Sequence, residues 1–311
     1  MQQDLVKLPD GFVFDRALAA AHVMEPTHTK GVSSFRSLTP PAIPAPALRK
    51  TLTPGKALDV DGFVHDLRAA LDASTVGYVM QLRQRSQPLA AIQSNWAQRP
   101  TDGDEAWAQG VRMHIASVSK LVTAIAMTRA LAAAGLPPTT KIIDYLPAYW
   151  SKGPNIDQIT FGELMTHRSG FRVNGSDTFY TIMKNTVAGG VNAADIGTYS
   201  YQNMNFSLCR ILISIVSGAV SKNLVFPPPF PQDQFWDFVT INAYKSYVDA
   251  HLLAPAGVSG PTFTHPAPDA LAYNFPPASP WNSGDLTADC GGTSWHMSVD
   301  DLLAVMGCFR R

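Results

Sequence analysis

Residues 114–120, His-Ile-Ala-Ser-Val-Ser-Lys, are the stretch from which the rest of the chain is interpreted. They open a run rich in Ala, Leu, Ile and Met that predicts a long, buried helix from about Ser117 to Ala134, ended by Gly135. Ser117 and Lys120 stand three positions apart and therefore project from one face of that helix. A helix N-terminus stabilises an anion formed there, and burial lowers the pKa of a lysine enough for it to take the serine proton. The pattern therefore predicts nucleophilic catalysis, although a capping serine followed by a surface lysine would have the same sequence.

A second pair of polar residues precedes another apolar helix, predicted over residues 204–217. Tyr201 and Asn203 flank Gln202 on a loop from which both side chains could point into one cleft. A nearby Lys⁺ would lower the pKa of the phenol and make it a proton shuttle, while the carboxamide could bind a substrate carbonyl or hold the lysine. The alternative is a packed tyrosine beside an asparagine that caps the helix.

Two further segments carry residue types found in active sites, but their sequences favour structural turns. His167 closes a short helix predicted over residues 161–167, and Gly170 follows it, which favours a turn with the imidazole near the helix dipole. Residues 290–296, Cys-Gly-Gly-Thr-Ser-Trp-His, could line a cleft with backbone N–H groups. They read more simply as a glycine-permitted turn that leads to a final helix.

Periodicity and proline predict the remaining elements. Apolar residues at helical spacing predict an amphipathic helix over residues 59–73. Two β-like runs, Val76–Leu82 and Leu89–Trp96, predict an antiparallel hairpin. Further helices are expected over residues 233–253 and Val299–Phe309, and irregular, proline-rich chain over residues 221–232 and 261–284. A lone hairpin is marginally stable, so other strands should complete its sheet, and the downstream sequence as far as Arg311 offers no good candidate.

Composition limits the class of protein. The 24 Lys and Arg residues balance the 24 Asp and Glu residues, so there is no basic footprint for nucleic acid. With 46% hydrophobic residues the chain can bury a core, yet no apolar run reaches the length of a membrane span. Neither the cysteines nor the histidines have the spacing of a metal site, so no metal or cofactor is predicted. Cys209, Cys290 and Cys308 are expected to be buried small hydrophobes, with a Cys290–Cys308 disulfide as the alternative.

The chain divides by composition near residue 57. Residues 1–56 include five prolines between Pro40 and Pro54 and show little periodicity, which predicts an extended N-terminal extension that wraps or links. Residues 57–311 are expected to form the folded domain. No basic segment followed by an apolar one opens the chain, so no intact signal peptide is visible.

Several segments together resemble one family, the serine β-lactamase-related hydrolases, which includes class C β-lactamases, D-alanyl-D-alanine carboxypeptidases and esterases. Ser117 and Lys120 match the family's Ser-x-x-Lys motif. Tyr201 and Asn203 match its Tyr-x-Asn motif. Weaker matches run in the family's order through residues 140–147 (a relaxed Asp-x-x-x-x-Tyr-Leu-Pro turn), 159–170 (the Ile-Thr-x-x-x-Leu-Leu-Thr-His-Thr-Ser-Gly segment), 255–258 (a Pro-Leu-Gly-Met turn) and 291–302 (Gly-Gly through Ser-x-x-Asp-Leu). The resemblance covers about Asp59 to Cys308.

The resemblance implies an α/β (α+β) fold of the β-lactamase/transpeptidase type, in which helices flank an antiparallel sheet beside an all-helical subdomain. It also implies a mechanism in which Ser117 attacks an ester or amide carbonyl and becomes acylated. Lys120 and Tyr201 would share the proton transfers, Asn203 would position the substrate and Lys120, and water would release the acyl group. The implied partner is a small ester, amide or peptide substrate, and the implied location is periplasmic or secreted.

One family motif is absent from its expected place. The family carries Lys-Thr-Gly or His-x-Gly on a strand after the late helix, but no such motif follows Asp301. His296 lies before that helix, where no strand is predicted. Because the family takes most of its sheet from that region, the C-terminal strands are expected to be missing here. The alternatives are that a second chain produced by cleavage supplies them, that they were lost or are disordered, or that this is a defective homologue. Three hypotheses remain open. The first is a serine hydrolase that needs those strands, with an ester or peptide substrate favoured. The others are a β-lactamase or D-Ala-D-Ala carboxypeptidase, and a non-catalytic relative that binds a ligand or partner.

Overall fold

The computed structural model describes residues 58–84, 87–173, 178–265, 269–274 and 279–308. The described residues from Asp59 onward belong to one compact unit. The predicted N-terminal extension, residues 1–56, lies outside the described residues, so the domain boundary at residue 57 stays a prediction.

The helices of the described residues follow the predicted periodicity closely. They are α1 (Val60–Leu71), α2 (Ser119–Ala133), α3 (Phe161–Met165), α4 (Tyr180–Gly189), α5 (Asn203–Val216), α6 (Gln232–Val248) and α7 (Val299–Cys308). Asp59 caps α1 by accepting a hydrogen bond from the Gly62 N–H at 2.9 Å, and Thr160 with Glu163 forms a capping box on α3. Of these helices only α4 was not predicted, although its buried Tyr180, Met183 and Val187 recur at helical spacing.

The predicted hairpin is present and belongs to a three-stranded sheet. Its strands β1 (Gly77–Gln84) and β2 (Gln87–Gln98) are antiparallel, with a register shift at Leu82. A short strand β3 (Glu105–Ala106) pairs antiparallel with β2, so the order is β1-β2-β3 and β1 is the outer strand of the described sheet. The expectation that no downstream segment completes the sheet is wrong for β3, because a two-residue strand is too short to leave a periodic pattern.

Two further pairs of very short strands are present, and one of them links distant parts of the chain. Strand β4 (Met113–His114) pairs with β7 (His296–Met297), and β5 (Ala272–Tyr273) pairs with β6 (Pro280–Trp281). The expectation that His296 lies outside any strand is wrong, and the segment 261–284 is less irregular than its prolines suggest. Each pair involves only two residues per strand. The strands β4 and β7 are remote in sequence, whereas β5 and β6 are close to each other along the chain. The β4–β7 pair ties the segment before Ser117 to the segment before α7.

The core lies between helices α2, α5 and α6. Helix α2 packs against both α5 and α6, as predicted for a central buried helix. Fully or almost fully buried side chains fill the interface, among them Val122, Met127, Leu131, Leu208, Ile211, Trp236 and Tyr244. The expectation that no apolar run reaches the length of a membrane span is wrong for Ala116–Ala133, which has that length and apolar composition, but half of this window is buried inside the protein. It is therefore interpreted as the core helix, in which the apolar side chains face other helices.

All three cysteines are free thiols. Cys209 and Cys290 are buried, as predicted, and Cys308 is partly buried. The alternative of a Cys290–Cys308 disulfide is wrong, since neither residue is bonded to the other. Burial raises the pKa of both the Cys209 and the Cys290 thiol, which makes them unreactive small apolar groups.

Candidate active site

Ser117 lies in a single 3₁₀ turn, Ala116–Val118, directly ahead of α2. Ile115 anchors the approach to this turn by donating its N–H to the Trp295 carbonyl at 3.0 Å. Ala116 then adopts a φ of +45°, a left-handed conformation that costs a non-glycine residue about 1–2 kcal/mol. The sharp turn leaves the Ser117 side chain exposed at the positive end of the helix. Such local backbone strain is typical of functional sites.

The neighbouring hydroxyl, Ser119, is excluded as the exposed nucleophile. Its side chain is fully buried, and its Oγ accepts a hydrogen bond from the Trp295 N–H at 3.1 Å. Ser119 therefore fastens the start of α2 to the segment that carries β7. In the sequence, Ser117 differs from Ser119 as a candidate only because a lysine follows it three residues further along the chain.

Lys120 is buried in the first turn of α2, with 6% of its surface exposed. Its Nζ donates to the Ser117 Oγ at 3.1 Å, to the Asn203 Oδ1 at 2.8 Å and to the Gly292 carbonyl at 3.0 Å. The alternative of an ordinary surface lysine is wrong. Burying an ammonium group costs several kcal/mol unless acceptors surround it, and here three acceptors converge on it. The three contacts hold the charge beside the serine oxygen.

Tyr201 and Asn203 come from the start of α5 and meet the same lysine. The Tyr201 hydroxyl lies 2.6 Å from the Ser117 Oγ, and the Lys120 Nζ lies 4.9 Å from the centre of the phenol ring. Asn203 occupies the first position of α5, and Gln202 stands at the cap without a side-chain hydrogen bond to the helix. The alternative of a packed tyrosine beside a capping asparagine is therefore wrong, since Tyr201 is 46% exposed and Asn203 holds Lys120.

The turn at residues 290–296 contributes a backbone acceptor that the sequence analysis missed. Gly291 has a φ of +91°, and a Cβ there would lie 2.6 Å from the Phe206 carbonyl, so only glycine fits. This turn presents the Gly292 carbonyl to Lys120. The predicted glycine turn is confirmed, and it lines the site with an acceptor for the lysine. No side-chain signal marks such a role, because a carbonyl exists at every position.

The structure places two histidines close to this group. The imidazole of His167 lies 4.5 Å from the Tyr201 ring, centre to centre, and the predicted turn at the end of α3 is present. The imidazole of His296 is buried, and its two nitrogens contact the Ser283 hydroxyl at 2.6 Å and the Thr262 carbonyl at 3.2 Å. His296 is thus engaged away from Lys120, although it lies on a strand. Within the described ranges no three His, Cys, Asp or Glu side chains are grouped to hold a metal ion.

Comparison with known proteins agrees with the fold. The β-lactamase family model matches residues 90–310, more than half of the sequence, and the chain belongs to the β-lactamase family. That family is made up of serine hydrolases, among them β-lactamases, carboxypeptidases and esterases. The predicted β-lactamase/transpeptidase-like fold is confirmed. None of the curated proteins compared with the chain matches it in sequence.

Solved structures with this fold share little sequence with the chain. A class C β-lactamase from Rhodobacter sphaeroides superposes with a TM-score of 0.58 at 16% identity, over 79% of this chain and 63% of that one. A β-lactamase/D-alanine carboxypeptidase from Yersinia pestis gives 0.56 at 17% identity, over 76% and 63%. EstCE1, a hydrolase with promiscuous acyltransferase activity, gives 0.57 at 14% identity, over 79% and 71%. The chain therefore spans somewhat under two thirds of the first of these relatives.

Proposed function

We propose that the protein is a serine hydrolase that cleaves an ester or amide bond through an acyl-enzyme on Ser117. One observation carries the proposal. The Ser117 Oγ lies within hydrogen-bond distance of both the Tyr201 hydroxyl, at 2.6 Å, and the Lys120 Nζ, at 3.1 Å. An exposed hydroxyl thus has two proton carriers beside it, which is the arrangement that nucleophilic catalysis requires. Membership of a family of serine hydrolases supports this assignment.

In the acylation step, the Tyr201–Lys120 pair starts one proton short of phenol plus ammonium, the Ser117 oxygen attacks the substrate carbonyl carbon, and the serine proton passes to the pair. The carbonyl π electrons move onto the oxygen, and the backbone N–H of Ser117 is one donor to that oxyanion. When the tetrahedral species collapses, the bond to the alcohol or amine breaks and the leaving group takes a proton from the same pair. Whenever Lys120 holds its third proton, its charge favours negative charge on the neighbouring Ser117 and Tyr201 oxygens.

In the deacylation step, water attacks the carbonyl carbon of the acyl-serine and gives its proton to Tyr201 and Lys120. The Ser117 oxygen leaves and recovers a proton from them, so the site returns to its starting state. Asn203 takes part by holding the Lys120 Nζ at 2.8 Å and by offering its amide N–H₂ to the substrate. The favoured substrate is an ester or a peptide, because nothing in the site marks a preference for lactams.

A covalent-labelling experiment tests the proposal. Incubation with a fluorophosphonate and, separately, with a β-lactam is expected to add one adduct, seen by intact-mass spectrometry and mapped by peptide digestion to Ser117. The Ser117→Ala variant should stay unlabelled, and Ser74→Ala, which removes an exposed serine near the end of α1, should label like the wild type. No adduct on Ser117, in the chain alone or in material purified from its natural source, would show that the non-catalytic alternative is right.

We further propose that strands supplied by a second polypeptide complete the sheet at β1. Strand β1 is eight residues long and pairs on one side only within the described sheet. A long outer strand presents a row of unpaired N–H and carbonyl groups that readily takes another strand. Native purification is expected to yield a companion polypeptide, and amides on the outer edge of β1 should exchange with deuterium slowly in that material. Rapid exchange there, with no companion found by mass spectrometry, would contradict the proposal.

A further inference from the structure

We propose that His167 is a positioning residue that holds Tyr201 against Ser117. The inference rests on the proposed function, since it concerns the group to which that function assigns proton transfer. It gives a role to a histidine that the proposed mechanism does not use.

His167 contacts three consecutive residues of the segment that carries the phenol. Its carbonyl accepts the N–H of Ser200 at 2.8 Å, and its Nδ1 accepts the N–H of Gln202 at 3.2 Å. Between these two hydrogen bonds its ring lies against the Tyr201 ring, 4.5 Å between centres and 33° from parallel. Tyr201 is otherwise 46% exposed, so few other groups are available to fix its orientation. His167 therefore defines both the backbone and the ring position of Tyr201.

The turn itself does not require an imidazole. His167 has a φ of +57°, a left-handed conformation that is unfavourable for a residue with a Cβ and that glycine adopts freely. Its own N–H donates to the Leu164 carbonyl at 3.1 Å, a bond that any residue but proline could make. The backbone strain is therefore offset by what the side chain contacts, which is the Tyr201 segment together with Asn205 and Phe206 of α5.

The hydrogen bonds define the protonation state of the ring. The Nδ1 faces two donors, the Gln202 N–H and the Asn205 side-chain amide, each at 3.2 Å. The Asn205 Oδ1 accepts from the Ser169 hydroxyl at 2.6 Å, which turns its N–H₂ toward the ring. The Nδ1 must then be an acceptor, so the imidazole is neutral with its proton on Nε2.

The surroundings oppose protonation of that ring. Burial lowers the pKa of His167, and the positive charge of Lys120 lowers it further, opposed by the hydrogen bond to Gln202. The titratable and charged groups that face the imidazole are Lys120 from α2 and the two phenols Tyr199 and Tyr201. A second proton on the ring would break both hydrogen bonds that Nδ1 accepts and release the segment.

The decisive variant is His167→Asn, because asparagine tolerates the left-handed conformation and keeps a side-chain acceptor but has no ring. Its acylation by a fluorophosphonate is expected to show a kinact lowered about 10- to 100-fold, with KI changed less than about twofold. The Tm should fall by no more than about 3 °C, which separates misplacement from unfolding. Tyr199→Ala is the matched control, since it removes the other tyrosine that contacts the same imidazole, 6.1 Å between ring centres. A His167→Asn kinact within about twofold of the wild type would overturn the proposal.

A second measurement does not depend on activity. In NMR spectra of protein labelled with ¹⁵N and with ¹³C at the tyrosine Cζ, the Gln202 amide should shift as the His167 imidazole is titrated. The Tyr201 signal should move in His167→Asn and stay in place in Tyr199→Ala. If the fluorophosphonate does not acylate the wild type but these NMR shifts are seen, the hydrolase proposal is wrong and the positioning role remains. If the fluorophosphonate acylates the wild type but neither the Gln202 amide signal nor the Tyr201 signal responds as expected, only the positioning role is wrong.

Discussion

Replacing Lys120 with methionine is expected to lower the rate of Ser117 acylation by about 10²- to 10⁴-fold. Methionine has a similar length and fits an apolar environment, but it can neither carry a proton nor place a positive charge 3.1 Å from the serine oxygen. Tyr201 would keep its contact with Ser117, at 2.6 Å, without the cation beside its ring. The expected loss is therefore in the chemical step, seen as a lower kinact with a fluorophosphonate.

The stability of the Lys120→Met variant should change much less than its rate. Removing a buried charge is often neutral or stabilising, whereas the Asn203 Oδ1 and the Gly292 carbonyl each lose a donor at about 1–3 kcal/mol. These effects oppose one another, so the Tm should shift by only a few degrees. Lys152→Met is the matched control, because Lys152 also donates to two carbonyls, those of Pro147 at 2.9 Å and Ala148 at 3.1 Å. A Lys120→Met variant that acylates within about tenfold of the wild type would show that Tyr201 alone carries the proton.

Acidification is expected to weaken the fold through His296, by about 3 kcal/mol at most. The pKa of His296 is lowered from 6.5 to about 4, mainly by burial and less by the nearby His114 and His265, against the opposing hydrogen bond to Thr262. Because the folded pKa lies below the unfolded one, the unfolded chain binds the extra proton more readily. Stability is therefore fully present above about pH 6.5, is lost as the pH falls, and levels off below about pH 4.

The measurement is the free energy of unfolding by denaturant, compared between wild type and His296→Gln at about pH 7.5 and pH 4. Glutamine stays neutral and can keep both hydrogen bonds, so the variant should lose about 3 kcal/mol less over that interval. The comparison of His296→Gln with the wild type is needed because Asp269 has the opposite pH dependence. Burial raises the pKa of Asp269 from 3.8 to about 6, so this carboxyl stabilises the fold at low pH. His65→Gln, an exposed histidine on α1, is the control and should follow the wild type. Parallel curves for wild type and His296→Gln would contradict the expectation.

The helices were predictable because their signals are local. A buried face repeats every three or four residues, so α1, α2, α3, α5, α6 and α7 could be recognised from neighbouring residues alone. The hairpin of β1 and β2 has the same advantage, since its strands are adjacent in sequence. Strands β3, β4 and β7 have two residues each, too few for a periodic pattern, and β4 and β7 also pair across a long separation in sequence. This is why the sequence analysis did not predict these three strands.

The candidate site shows the same division. The sequence identified Ser117, Lys120, Tyr201 and Asn203 by residue type and spacing, and the resemblance to a family connected the two pairs. It could not distinguish a surface lysine from one buried at 6% exposure, because burial depends on which helices pack around it. The Gly292 carbonyl could not be found either, since a backbone group has no distinguishing residue.

By itself, the sequence determined which residues can do chemistry and which stretches become helical, because both depend on side chains a few positions apart. Tertiary structure alone decided that Asn203 holds a lysine and does not cap its helix, and that Ser119 is a buried anchor while Ser117 is exposed. It also decided that His167 lies against Tyr201, some thirty residues further along the chain. The physical reason is the same in each case. A hydrogen bond or a ring contact between remote segments exists only once packing of α2, α5 and the turn before α7 has brought those segments together.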